Sequence, residues 1–316
     1  MHFIRFFFSA ISVCLALSPV ALCAAEKPEN QNRFGPPAGW TSFVRGGGVY
    51  QFDTDLDEGG SYNATRLTIQ AGHGYAWDRR TSVSLALGYS YDGYSFSKGG
   101  GIGGGIASFD PWEDIHSLSL GLPMRKGIGE AWSAFLIPSL RSTGESGSSF
   151  DDTITGGVLT GFAYRFSDRL TIGPGIGVVS QLEDSATVFP VIIIDWKITD
   201  RLSLGTGRGL GATLGPGLTL NYQANQLWNF AIGGRYEEFR FRLDNDGAVK
   251  DGIGEDKSFP VFASCTYSFN PKTQVSLVGG IEFGGELVLE DEKGHRITKE
   301  SYDPGGFLGV TFNVRI

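Results

Sequence analysis

Phe166-Ser-Asp-Arg-Leu-Thr-Ile-Gly173 and Ile198-Thr-Asp-Arg-Leu-Ser-Leu-Gly205 are near copies of one phrase, set 32 residues apart. Each closes an alternating run, turns within a few polar residues and opens another. Looser versions stand at Trp77-Asp-Arg-Arg-Thr-Ser-Val-Ser-Leu85, Ala224-Asn-Gln-Leu-Trp-Asn-Phe230 and Phe269-Asn-Pro-Lys-Thr-Gln-Val-Ser-Leu277. A strand-turn-strand unit repeated along a chain predicts a β-meander, and one this long escapes exposed edges by closing on itself.

Outward from these turns the chain alternates with period two, the spacing at which side chains fall on opposite faces of a strand. Val83, Leu85, Leu87, Tyr89 and Tyr91 share one face; Ser82, Ser84, Ala86, Gly88, Ser90 and Asp92 share the other. Leu308, Val310, Phe312, Val314 and Ile316 alternate in the same way with Gly309, Thr311, Asn313 and Arg315. A water-facing sheet surface would carry Lys, Glu and Thr. Here the second face is small, with scattered charges, as suits the inside of a curved barrel whose apolar face meets lipid. Gly numbers 47 of 316, about twice the usual ~7%, which fits bends and close backbone contacts.

Residues 1–25 read as a cleaved signal peptide: Arg5 leads a long apolar run, and Cys23-Ala-Ala25 offers small residues before Glu26. Residues 26–40 form a Pro-rich periplasmic lead and residues 41–316 the barrel. Loss of Arg5 leaves 25 basic against 34 acidic residues, a net charge of −9. That acidity argues against nucleic acid as a partner. One cysteine, Cys265, remains after cleavage and can form no internal disulfide.

Short turns near 78, 128, 168, 200, 225 and 271 divide the barrel into seven two-stranded units. The fold expected is an all-β, antiparallel up-and-down transmembrane barrel of about 14 strands; 12 follows if the first hairpin or the 200–225 unit is misread. Longer Gly- and Asp-rich loops are expected at 55–61, 95–114, 144–152, 183–186, 207–215, 244–257 and 290–303, on the opposite end from the short turns, the asymmetry of outer-membrane barrels. Trp77, Trp132, Phe166, Trp196, Trp228 and Phe269 cluster at the short turns, where amphipathic rings favour the membrane-water boundary. The apolar phase slips between Ile232 and Phe239, which predicts a β-bulge. Pro138, Pro174, Pro190 and Pro216 have no ladder donor and must sit at bulges or strand ends.

From about Trp40 onward the chain resembles uncharacterised bacterial outer-membrane barrel proteins of a domain-of-unknown-function type. The resemblance is carried by Gly46-Gly-Gly-Val-Tyr-Gln-Phe52, the acidic 55–60 stretch, Tyr62-Asn-Ala-Thr-Arg-Leu67, the Phe-Ser-Asp-Arg-Leu turns and the terminal strand. It implies lipid and the barrel assembly machinery as partners. Such barrels commonly end in Phe, whereas this chain ends in Ile316 with Phe312 four residues back.

Chemistry is sparse. A barrel lipid hydrolase would place Ser two residues from His on one strand. His73, His116 and His295 all lack that spacing, so no catalytic residues, cofactor or metal site are expected and the chain is read as no enzyme. Gly99-Gly-Gly-Ile-Gly-Gly104 is read as a loop, since no helix follows to receive phosphate. Acidic runs at Asp53, Asp55, Asp57 and at Asp244, Asp246, Asp251, Glu255, Asp256 are read as solvated external loops, with a divalent cation bridging them to lipid headgroups as the minor option. The expected function is a passive pore for a small solute, with Arg165, Asp195, Lys197, Glu282 and Arg315 as lumen charges. The alternatives are a non-transporting surface barrel for adhesion or envelope structure, and, further off, a lipid hydrolase or soluble β-sandwich.

Overall fold

The computed structural model describes residues 38–97, 105–206 and 217–316. The signal peptide, most of the Pro-rich lead, the Gly99–Gly104 run and Pro216 lie outside the described residues. Fourteen antiparallel strands follow in chain order: β1 (Gly39–Asp55), β2 (Ser61–Asp78), β3 (Thr81–Ser97), β4 in two pieces (Asp114–Gly121 and Met124–Ile128), β5 (Trp132–Glu145), β6 (Ile154–Ser167), β7 (Leu170–Gln181) and β8 (Asp184–Lys197). The ring continues with β9 (Leu202–Thr206), β10 (Gly217–Gln223), β11 in two pieces (Trp228–Arg235 and Glu237–Arg242), β12 (Ile253–Asn270), β13 (Thr273–Glu290) and β14 in two pieces (Arg296–Tyr302 and Gly305–Arg315). Each strand pairs with its chain neighbours, and β14 returns to β1 with Phe43 opposite Arg315 and Gln51 opposite Phe307. The strand order closes on itself, so along the paired stretches backbone donors and acceptors are met inside the wall, which is what a strand in lipid requires.

The alternation places the large apolar residues outside. Leu87 is 57% exposed, Ile192 62% and Leu118 55%, and this band of side chains encircles the ring, far beyond the apolar patch a soluble protein tolerates. Trp77, Trp132, Phe166, Trp196, Trp228 and Phe269 all point outward at the short-turn end. They form a girdle through ring pairs such as Trp132–Tyr164 at 4.8 Å and Tyr267–Phe269 at 4.9 Å. Along β3, Tyr89 and Tyr91 mark the opposite border. About ten residues of strand separate the Trp77 level from the Tyr91 level; at ~3.3 Å per residue and a tilt of roughly 40° they span about 25 Å, the height of a barrel's apolar band.

Several loops are shorter than the sequence suggests. The 183–186 segment is a tight turn at 182–183, with β8 already begun at Asp184, and 244–257 and 290–303 are partly strand. β1 begins at Gly39 rather than 41. The bulge expected between Ile232 and Phe239 is absent: Gly234 faces Val261 and Glu237 faces Ser258, an unbroken register against β12. The phase slips because the environment changes. Ile232 faces outward, whereas Phe239 and Phe241 point inward into a protein core.

Pro138 and Pro174 fall where pairing lapses on one side, whereas Pro190 stands inside β8 opposite Ile176 in an unbroken register, at neither a bulge nor a strand end. Pro138 stands opposite the break between the two pieces of β4, where the Leu122 amide donates to the Pro138 carbonyl at 3.0 Å. Pro174 sits in the interval between the Gly161–Gly175 and Tyr164–Ile172 pairs, where β6 and β7 are not paired.

Candidate functional site

The inward face of the ring has two unlike halves. On the side formed by β1–β4 and β11–β14 the lumen is filled. Toward the long-loop end Tyr62, Tyr94, Trp112, Phe241, Leu287, Leu289 and Tyr302 form a hydrophobic core, into which a single 3-10 turn (Ile106–Phe109) contributes the buried Ile106 and Ala107.

Beneath this core lies a charged cluster. The Arg66 guanidinium serves three carboxylates: Asp256 at 3.0 Å, Glu282 at 3.2 Å and Asp92 at 3.8 Å. It also donates to Gln51 Oε1 at 2.9 Å. Asp256 accepts from the Tyr94 and Tyr302 hydroxyls at 2.9 and 3.0 Å, and Gln51 donates to the Tyr62 hydroxyl at 2.8 Å. Glu282 Oε2 is buried without a hydrogen-bond partner. The strands bring these groups together because Arg66, Asp92, Asp256 and Glu282 hold inward positions at one height. Only the register could reveal this, since Arg66 and Glu282 are 216 residues apart. Asp256 and Glu255 therefore belong to β12, not to an external acidic loop.

The opposite half, β5–β8, is different. Its inward residues Phe135, Ile137, Leu159, Phe189, Val191 and Ile193 are apolar and half-buried. Glycines let the two rings lie flat on the wall. A Cβ on Gly161 would stand 2.8 Å from Phe135 Cε1, and one on Gly177 would run into the Phe189 ring. Val188-Phe-Pro-Val-Ile-Ile-Ile194 is apolar on both faces, a signal for an apolar lumen wall that alternation alone does not convey.

At the long-loop end the second piece of β11 leans across the ring to β5, six strands away, through one parallel bridge between Arg242 and Gly144. Arg242 pairs with Glu183 at 2.6 Å and donates to the Asp152 carbonyl at 3.1 Å; Arg240 donates to the Leu182 carbonyl at 3.0 Å and pairs with Glu290 at 2.5 Å. Glu145, at the tip of β5, accepts the amides of Glu113 and Asp244, while burial pushes its carboxyl above the ordinary range.

Each of the five lumen-charge candidates occupies an inward position. Arg165, opposite Thr171, and Asp195, also opposite Thr171, lie in one cross-strand row near the short turns. Lys197 and Arg315 lie at the same end, opposite Ser203 and Phe43. Glu282 is in the Arg66 cluster. Two more cations at the short-turn end escaped the sequence reading: Arg45, which donates to Gln70 Oε1 at 2.7 Å, and Arg125, opposite Ser82 and Phe135.

Serine does meet histidine, but across strands and on the outer face. Ser42 Oγ is 2.8 Å from His73 Nδ1, with the ring stacked on Trp40; Ser146 Oγ is 3.0 Å from His116 Nε2, whose Nδ1 meets the Tyr89 hydroxyl at 2.8 Å. Among the described residues neither ring has a carboxylate partner to orient it, and no group of three His, Cys, Asp or Glu could hold a metal ion.

A closed fourteen-stranded antiparallel ring, apolar outside and partly filled inside, defines a transmembrane β-barrel. The chain belongs to the family described as Domain of unknown function (DUF6268), whose sequence profile matches residues 111–315. No curated protein matches it by sequence. Among solved structures it is similar to an outer membrane channel from Pseudomonas putida F1 (11% identity, 92% of this chain and 100% of that one, TM-score 0.44). It is also similar to a Pseudomonas aeruginosa FadL homologue (10%, 87% and 90%, 0.47) and to the translocator domain of the Neisseria meningitidis autotransporter NalP (11%, 98% and 93%, 0.40).

Proposed function

We propose that the chain is an outer-membrane barrel, inserted by the barrel assembly machinery, that serves as a passive pore for a small solute. The observation that carries this is the unequal filling of the lumen. Toward the long-loop end and around Arg66 the inward side chains on β1–β4 and β11–β14 are largely packed away, whereas Phe135, Ile137, Leu159, Phe189, Val191 and Ile193 on β5–β8 keep part of their surface open. A fourteen-stranded ring lies between the eight strands whose interior side chains fill and the sixteen that leave a water channel, so a one-sided path fits its size. Purified protein reconstituted in a planar bilayer is expected to give discrete conductance steps; a bilayer that stays silent at either polarity refutes the pore.

A second reading, a non-transporting surface barrel, is favoured by the packed aromatic core and by the Arg240–Arg242 crossing at the long-loop end. It expects no current, together with loss of a cell-surface phenotype when the loops are shortened. Migration of the unheated protein as a compact band in detergent gels, with recovery in the outer-membrane fraction, tests the location that both readings share.

A further inference from the structure

The short-turn half of the lumen has a sign opposite to that of the whole chain. Below the Arg66 cluster the inward positions hold five cations, Arg45, Arg125, Arg165, Lys197 and Arg315, against one carboxylate, Asp195. The protein as a whole carries −8. The turns do not cancel this excess: Asp168 adjoins Arg169 and Asp200 adjoins Arg201, with Arg169 and Asp200 paired at 2.7 Å, and Asp78 is followed by Arg79 and Arg80. Cations inside a low-dielectric wall focus potential along the pore and concentrate anions there. The same vestibule runs into the apolar strip, since Arg125 stands directly opposite Phe135 and Asp195 and Lys197 follow Ile193 along the inward face of β8.

Resting on the pore reading, we infer that the lumen takes amphiphilic organic anions: one carboxylate held in the short-turn vestibule and an apolar body laid along the strip of Phe135, Leu159, Phe189 and Val191. Two complementary features select this class. A bare inorganic anion gains nothing from the strip, and a neutral apolar molecule gains nothing from the five cations.

The test is ion selectivity followed by block, on the full-length mature barrel in planar bilayers. Under a potassium chloride gradient the reversal potential should favour chloride by roughly threefold or more, as a surface potential of several kT implies. The double substitution Arg165→Glu with Lys197→Glu should abolish or invert that preference. Octanoate added on the short-turn side should reduce current at about tenfold lower concentration than acetate, the worth of about two fully buried methylenes, and octanol should not match it. Phe189→Ser should remove the advantage of octanoate over acetate. Heat-modifiable gel migration verifies that each variant is folded. A barrel that conducts without preferring anions, or one that octanoate and acetate block alike, overturns this inference and leaves the pore standing; a folded barrel with no current overturns the pore itself.

Discussion

Arg66→Met should be among the most damaging single changes in the lumen. Three carboxylates, each with a side chain 11% exposed or less, face this one guanidinium, whose own side chain is 21% exposed. Methionine preserves much of the stem volume, so the loss is that of the charge. Removing one partner of a buried ion pair costs about 3–5 kcal/mol, because the abandoned charge stays out of water. The partial exposure of Arg66 admits some solvent screening, which places the expected loss near the lower end, about 3 kcal/mol. Glu282→Gln runs the other way. With the Arg235–Glu237 pair beside Glu282 and Arg141 beside Asp92 the cluster counts four acids to three cations, and Glu282 Oε2 already lacks a hydrogen-bond partner, so neutralising it should cost less than about 1 kcal/mol. Combining both changes should be milder than the sum of the two, with a coupling of about 1 kcal/mol or more. The assay is urea unfolding of protein refolded into lipid vesicles, followed by tryptophan fluorescence and gel mobility. If Arg66→Met and Glu282→Gln cost the same, or their effects simply add, the idea that Arg66 is the central cation of an acid-rich cluster is refuted.

Phe241→Ala removes a fully buried ring from the long-loop core and should cost about 3–5 kcal/mol in the same unfolding assay, with heat-modifiable migration retained because the lipid-facing wall is untouched. Gly177→Val would drive side-chain atoms into the Phe189 ring on the inner wall; a loss of about 1–3 kcal/mol from overpacking is expected, and Phe189→Ala in the same chain should recover part of it. Leu87→Arg, on the lipid face midway between the aromatic borders, should lower stability by about 2–4 kcal/mol. The neighbouring Ser90→Arg, on the lumen face, should cost less, as measured by vesicle refolding yield and urea midpoint.

Much of the wall is readable from the chain alone. Period-two runs such as 81–92 and 308–316 assign each residue to lipid or lumen because successive Cβ atoms in a strand point to opposite faces, and no partner is needed to decide it. The short turns, the outward aromatics at Trp77 and Trp132 and the inward places of Arg165, Asp195 and Lys197 follow from that local rule. Errors arise where the surroundings change along a strand. At Phe239 the apolar residues move to the inner face because a protein core replaces solvent there, and at Glu255 and Asp256 an apparent acidic loop is strand.

What the lumen contains was decided only by closure. Arg66 and Glu282 become neighbours because β14 pairs with β1 and the registers of β2, β12 and β13 bring their inward positions to one height. The division into a packed half and an apolar half depends equally on which strands end up facing each other across the ring. Local alternation is a property of a single strand's stereochemistry. Contact across a barrel is a property of the whole circuit of hydrogen bonds, and no segment carries it by itself.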